Sequence, residues 1–197
     1  NLITNNINNN KKYSDEELIF QFQKGNEHAY LELVNRYKDR LLNFIFGYVH
    51  SKESAEDIVQ DTFLKLYTSA DMYKEIAKFS TWIFTIAANL AKTELRKLKR
   101  RKIFSITDMG FDDKDYEIPS ESNVPENSIN SKYQMKYILK AIYKLDEPFK
   151  TALILRDIQE LSYEEVSNIV DISIGTVKSR INRGRLKLQK ILKNENK

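Results

Sequence analysis

Apolar side chains fall into helical register at Leu18, Phe22, Tyr30, Leu33, Val34, Tyr37, Leu41, Ile45 and Val49, recurring every three or four residues. Ser14-Asp15-Glu16-Glu17 marks the start as a capping box, with Ser14 as N-cap and Glu17 reaching back. Gly25 and Asn26 divide a short first helix from a longer second. A third helix is predicted over 52–69, with Ala55, Ile58, Val59, Thr62, Phe63 and Leu66 on its apolar side. After a loop over 71–79, Ser80 is the expected N-cap of a fourth helix, TWIFTIAANLAKTELRKLKRRK. The pattern lapses and resumes at Lys132, with Tyr133, Tyr137, Ile138, Ala141, Ile142 and Leu145 on one side. Pro148 then marks a helix start ahead of Ala152, Leu153 and Leu155. Ser162 caps a helix over 163–170 that turns Val166, Ile169 and Val170 inward. Asp171-Ile172-Ser173 makes a short turn, and Ser173 caps a last helix with Val177, Ile181, Gly184 and Leu188 inward. The fold expected is all-α.

Composition sharpens this into two small helical domains. Five glycines and three prolines in 197 residues leave little chain for the tight turns of a many-stranded sandwich. Residues 1–13 are an asparagine-rich tail with too little apolar surface to fold. Between Thr107 and Asn127 stand seven acids (Asp108, Asp112, Asp113, Asp115, Glu117, Glu121 and Glu126), one lysine and two prolines. The divisions read are an N-terminal domain over 14–103, a flexible acidic linker over 104–131 and a C-terminal domain over 132–197. Without cysteine, a disulfide framework, a thiolate metal site and a thiol nucleophile are all excluded. Neither of the two histidines has ligand spacing, so no metal or cofactor is expected. No segment approaches the roughly 18 consecutive apolar residues of a membrane span, and the compartment expected is the cytoplasm.

The net charge of +4 says less than its distribution. From Lys178 to Lys193 there are seven basic residues and no acid. Two helices joined by about three residues have helix-turn-helix geometry, whose second helix enters the major groove. With Val177 inward, Lys178, Ser179, Asn182 and Arg183 lie on the outward half. Arginine can bridge guanine O6 and N7, and asparagine adenine N6 and N7. A solvated basic face is the plainer alternative. On the third helix Glu53, Asp57, Gln60, Asp61 and Leu64 share a face opposite the apolar side, suited either to a basic partner surface or to solvent. On the fourth helix Thr85, Asn89, Lys92, Arg96 and Arg100 form a polar-to-basic stripe beside an aromatic-rich loop, which fits single-stranded or distorted nucleic acid. A basic last turn complementing the helix dipole would explain Lys99–Lys102, but not Asn89.

Four segments in order, SAEDIVQDTF (54–63), FSTWIFTIAANLAKTELRKLKR (79–100), LRDIQELSYEEV (155–166) and ISIGTVKSRINRGRLKL (172–188), resemble the signatures of bacterial sigma factors. Their spacing is similar to that of the minimal, extracytoplasmic-function group of the sigma-70 family, and the resemblance covers about residues 14–193. It implies a non-catalytic subunit that directs core RNA polymerase to promoters in a stress or envelope response, with an anti-sigma factor as a further partner. By position, it places Glu53, Asp57, Gln60, Asp61 and Leu64 on the clamp coiled coil of the polymerase largest subunit. The loop over 71–80 and Thr85, Asn89, Lys92, Arg96 and Arg100 would meet the melted non-template strand of the −10 element. Thr176, Lys178, Ser179, Asn182 and Arg183 would read the −35 element in duplex DNA. The linker would thread toward the active centre. Thr85-Ile86 stands where housekeeping relatives have a tryptophan pair, which implies weaker melting and stricter promoter demands. A stand-alone helix-turn-helix regulator is the rival reading, but residues 14–103 lack the alternating strand–helix pattern of a receiver. A recombinase would need a catalytic Ser or Tyr among convergent arginines, a cluster that the N-terminal half does not offer.

Overall fold

The computed structural model describes residues 13–104 and 129–195. The asparagine-rich tail and the acidic linker lie outside them, apart from a few residues at their edges. Eight α-helices make up the described residues, with no strand among them: α1 (Asp15–Gln23), α2 (Glu27–Val49), α3 (Lys52–Thr68), α4 (Phe79–Phe104), α5 (Ile129–Tyr143), α6 (Glu147–Leu153), α7 (Tyr163–Val170) and α8 (Ile174–Glu195).

Local chemistry sets the ends of these helices. Ser14 Oγ accepts from the Glu17 amide at 3.1 Å while Glu17 accepts from the Ser14 amide at 2.8 Å, completing the capping box. Ser162 and Glu165 repeat the arrangement at the start of α7. Gly25, at φ 91°, takes the left-handed turn between α1 and α2, where a side chain would be strained. At α4 the expectation differs from the structure. The helix begins at Phe79, so Ser80 lies inside it, and the Phe79 amide donates at 2.9 Å to Glu16 Oε1 of α1. A carboxylate from a distant helix does the capping, and it ties the start of α4 to α1.

Helices α1 to α4 pack around α2. Their core is aromatic: Phe84 stands edge-on to Phe44 at 5.2 Å, and Tyr37 edge-on to Phe79 at 5.3 Å. Tyr37 is fully buried, and its hydroxyl donates at 2.6 Å to Asp15, which also receives Arg36 at 2.8 Å. Burial and that carboxylate push the Tyr37 phenol far above its ordinary value, so it stays a donor.

In the C-terminal half α6 and α7 both pack on α8. Gly184 of α8 is a close-approach position, since a Cβ there would lie 3.1 Å from Leu153 Cγ. Beyond α6 the chain widens into a π turn, Ile154–Ile158, closed by the Gln159 amide on the Ile154 carbonyl at 2.9 Å.

The two halves are packed against each other along a seam formed by α2 with α6 and its π turn, and by α4 with α7. Arg40 Nε donates to Gln159 Oε1 at 2.7 Å, and the Tyr143 hydroxyl to the Asn43 carbonyl at 3.1 Å. Gly47 allows the closest approach, because a Cβ there would sit 2.9 Å from Ile154 Cδ1. Glycine in a helix interior costs roughly 0.5–1 kcal/mol relative to alanine, and contact with the other half is its compensation here.

Candidate nucleic-acid interface and partner-docking face

The helix-turn-helix is built from its caps outward. Asp171 ends α7 in the left-handed region at φ 59°, and Ser173 Oγ accepts from the Thr176 amide at 3.3 Å to open α8. Val166, Ile169, Val177, Ile181 and Gly184 are buried, while Val170 and Leu188 are partly so. That burial fixes the rotation of α8. It leaves Thr176, Lys178, Ser179, Asn182 and Arg183 all exposed on the opposite side, as the helical period requires. The Thr176 hydroxyl lies 2.9 Å from Ser173 Oγ, and the Lys178 ammonium 5.7 Å from the Tyr163 ring centre.

Two of the seven basic residues of α8 are ion-paired among the described residues. Arg185 grips Asp157 through two nitrogens at 3.0 and 2.6 Å, and Lys187 meets Asp146 at 3.0 Å. Both are exposed pairs, worth about 0–1 kcal/mol each, so phosphate oxygens can compete for them.

On α3 the apolar side, Ala55, Ile58, Val59, Thr62, Phe63 and Leu66, is buried. Glu53, Asp57, Gln60, Asp61 and Leu64 are exposed on the other side, and Leu64 is 61% exposed. Among the described residues Asp57 and Asp61 form no ion pair, so both carboxylates are open to solvent and to a partner.

The α4 stripe is less uniform. Asn89, Arg96 and Arg100 are exposed. The Thr85 hydroxyl is turned back onto the Thr81 carbonyl at 2.7 Å, and Arg100 Nε onto the Arg96 carbonyl at 3.4 Å. Lys92 Nζ donates at 3.2 Å to the Val170 carbonyl at the end of α7. At the other end of that contact Glu165 of α7 accepts from Thr81 at 3.2 Å and pairs with Lys78 at 3.4 Å. The first helix of the helix-turn-helix therefore rests on the beginning of the α4 stripe. Periodicity alone missed this arrangement, although Glu165 is a capping residue with a second oxygen to spare.

No helix among the described residues is long and apolar enough to cross a membrane, and they hold no His, Cys, Asp and Glu cluster that could bind a metal.

Two family models match the chain, Sigma-70 region 2 over residues 33–101 and Sigma-70, region 4 over residues 135–188. The first spans most of α2 to α4, and the second runs from α5 into α8. Over 177 residues the chain is 33% identical to the ECF RNA polymerase sigma factor SigW of Bacillus subtilis (strain 168), covering 89% of this chain and 95% of that protein. It is 34% identical over 178 residues to the ECF RNA polymerase sigma-E factor of Escherichia coli (strain K12), covering 89% and 92%. Among solved structures, the sigma factor RpoE of Bartonella quintana, crystallised with the anti-sigma factor NepR, superposes with a TM-score of 0.67 at 28% identity, over 88% of this chain and 97% of that one. CnrH, solved with the cytosolic domain of CnrY, shares the fold with a TM-score of 0.62 at 22% identity, over 92% and 99%. With both sigma-70 regions in order and a third of its residues identical over nearly the whole length of such relatives, the chain belongs to the ECF sigma factors of RNA polymerase and serves transcription initiation.

Proposed function

We propose that three faces divide the work of initiation. Glu53, Asp57, Gln60, Asp61 and Leu64 dock on core polymerase. Thr85, Asn89, Lys92, Arg96 and Arg100 follow the melted −10 strand, and Thr176, Lys178, Ser179, Asn182 and Arg183 read the −35 duplex. The observation that carries the reading is the orientation of α8. Its apolar side is locked into the domain, and every candidate base-reading side chain is left exposed. The acidic face of α3 is equally free. Two domains are read, 14–103 for core and −10 contacts and 132–197 for the −35 contact, joined by 104–131. The protein performs no covalent chemistry and works in the cytoplasm, where its polymerase is. An anti-sigma factor is its regulator, since RpoE of Bartonella quintana, a sigma factor of the same fold, was crystallised with one.

Open-complex formation with core polymerase, on matched duplex and pre-melted promoters, tests this division. Arg183→Ala and Asn182→Ala each remove about 1–3 kcal/mol of base discrimination where the pairing is bidentate. They relax preference in the upstream element and spare opening of the pre-melted template. Asn89→Ala reduces opening on the duplex and changes preference in the downstream element. A shift of the same element by Asn89→Ala and Arg183→Ala sinks the assignment.

A further inference from the structure

Lys150 of α6 is 2% exposed, an unusual place for an ammonium. Its stem lies against Gly47 of α2, and its Nζ is 3.1 Å from His50 Nε2. His50 sits at the left-handed C-cap of α2 (φ 54°), on the far side of the seam, and is itself exposed, so protons reach it in the closed form. With Lys150 charged, the contact is a hydrogen bond only if the imidazole Nε2 carries no proton and accepts from the ammonium.

We propose that this pair is a proton-sensitive latch holding the two DNA-reading halves closed on each other, and that acidification releases it. Protonated His50 has no lone pair to offer and faces a second cation. Lys150 would then be buried without its acceptor, a costly state that separating the halves relieves by returning the ammonium to water and moving it away from the imidazolium.

The groups around the pair leave that logic intact. From α6 and the residue before it, Glu147 and Asp146 act on Lys150 and favour its charge, but Asp146 also pairs with Lys187 of α8, and Glu147 receives the Thr151 hydroxyl at 3.1 Å. From α2, the Phe46 ring stands edge-on to His50, and Tyr48 feels Glu147 and Arg180 of α8. The charge that faces His50 across the seam is Lys150 itself.

Burial and then the Lys150 charge hold His50 below its ordinary range, while burial pulls Lys150 down to about 8. Both groups bind protons more weakly in the closed form, so each favours closure as pH rises. His50 sets the lower window. Its contribution is complete above the ordinary histidine value of about 6.5 and is lost as pH falls below it. Lys150 adds closure as pH rises above about 8.

The seam is suited to opening. Apolar packing such as Ile154 on Gly47 is joined there by polar contacts such as Arg40–Gln159, and among the described residues Asn43 Oδ1 is buried without a hydrogen-bond partner. Release also frees Lys92 from Val170, and Thr81 and Lys78 from Glu165. The latch thus rests on the division of surfaces proposed above only for its consequence, an α4 stripe uncovered for DNA.

Because the chain has no cysteine, one fluorophore pair can be placed through Asn35→Cys on α2 and Gln189→Cys on α8, both exposed, in the full chain. Single-pair energy transfer is read at about pH 8 and about pH 5.5, with far-ultraviolet circular dichroism to confirm that the helices persist. The expected result is a predominantly closed population at the higher pH, whose closed-to-open ratio falls by up to about tenfold per pH unit below 6.5. Gly47→Leu, which cannot fit beside Ile154, supplies the open reference. His50→Asn offers a neutral acceptor that tolerates the left-handed backbone, and Lys150→Met removes the buried cation. At least one of them stays closed at both values, and neither shows the fall. A wild-type signal that does not change, a change accompanied by loss of helix, both variants open throughout, or a variant that keeps the fall each overturns the latch. Energy transfer reports closure whether or not the chain reads promoters, so its failure is separate from failure of the site assignments.

Discussion

Replacing Asp57 and Asp61 together by lysine lowers affinity for core polymerase by more than about a hundredfold. Hydrogen bonds to charged groups contribute roughly 1.5–3 kcal/mol each, and two reversed charges add repulsion against a basic partner. The fold has no stake in either carboxylate. Both are exposed, both lie opposite the buried side of α3, and a lysine at position 57 would stand one turn after Glu53, a favourable spacing on a helix. Titration of labelled core polymerase at fixed salt, alongside thermal melting of the free variant, checks both halves. A variant that melts like the wild type and still binds core with unchanged affinity would place the docking face elsewhere.

Phe84→Ala has the opposite profile, with a large loss of stability. Phe84 is fully buried, edge-on to Phe44 at 5.2 Å and to Tyr37 at 6.3 Å, with the Arg40 guanidinium 5.7 Å from its ring. Truncation removes the ring that ties α4 to α2 and leaves a cavity, at a cost of about 3–5 kcal/mol. Against a total of about 5–15 kcal/mol, that is a large share. The midpoint should fall by more than about 10 °C. Phe84→Leu, which refills part of the volume, should recover much of the loss. A midpoint within a few degrees of the wild type would mean that α4 is held mainly by its other contacts, such as the Phe79 amide on Glu16.

What the sequence made legible was what neighbours in the chain decide. Ser14 with Glu17 and Ser162 with Glu165 are three residues apart, and their reciprocal bonds form as their spacing required. The rotation of α8 followed from Val177 and Ile181 in the same way. What was missed joins residues far apart. The cap of α4 comes from Glu16, 63 positions earlier, so Ser80 had no local sign against it. The seam brings His50 to Lys150 and Asn43 to Tyr143, each pair 100 positions apart. Periodicity says that a face is buried and is silent on what covers it. Two residues did carry a signal. Gly47 interrupts an apolar helical run, and Lys150 precedes the run Thr151–Leu155, where solvent has no room. The three candidate surfaces were legible because exposed polar faces are the complement of apolar ones. Lys92 stood out as basic, but its engagement by the Val170 carbonyl could not be read from α4 alone.

The seam joins parts of one chain, and that changes how strong it needs to be. Two modules tethered together meet at an effective concentration on the order of millimolar, whereas separate molecules would be far more dilute. At that concentration an interface of only about 4 kcal/mol is already half occupied. Whatever the seam supplies beyond that, from the apolar core shared by both halves and from polar contacts such as Arg40–Gln159, goes into keeping them together. Each further 1.4 kcal/mol shifts the balance about tenfold toward the closed form, so a seam of about 7–8 kcal/mol leaves the halves parted in roughly one molecule in a few hundred. A partner that binds only the parted form gives up apparent affinity by the fraction that is parted, about twofold for a seam of about 4 kcal/mol and a few hundredfold for one of about 7–8 kcal/mol.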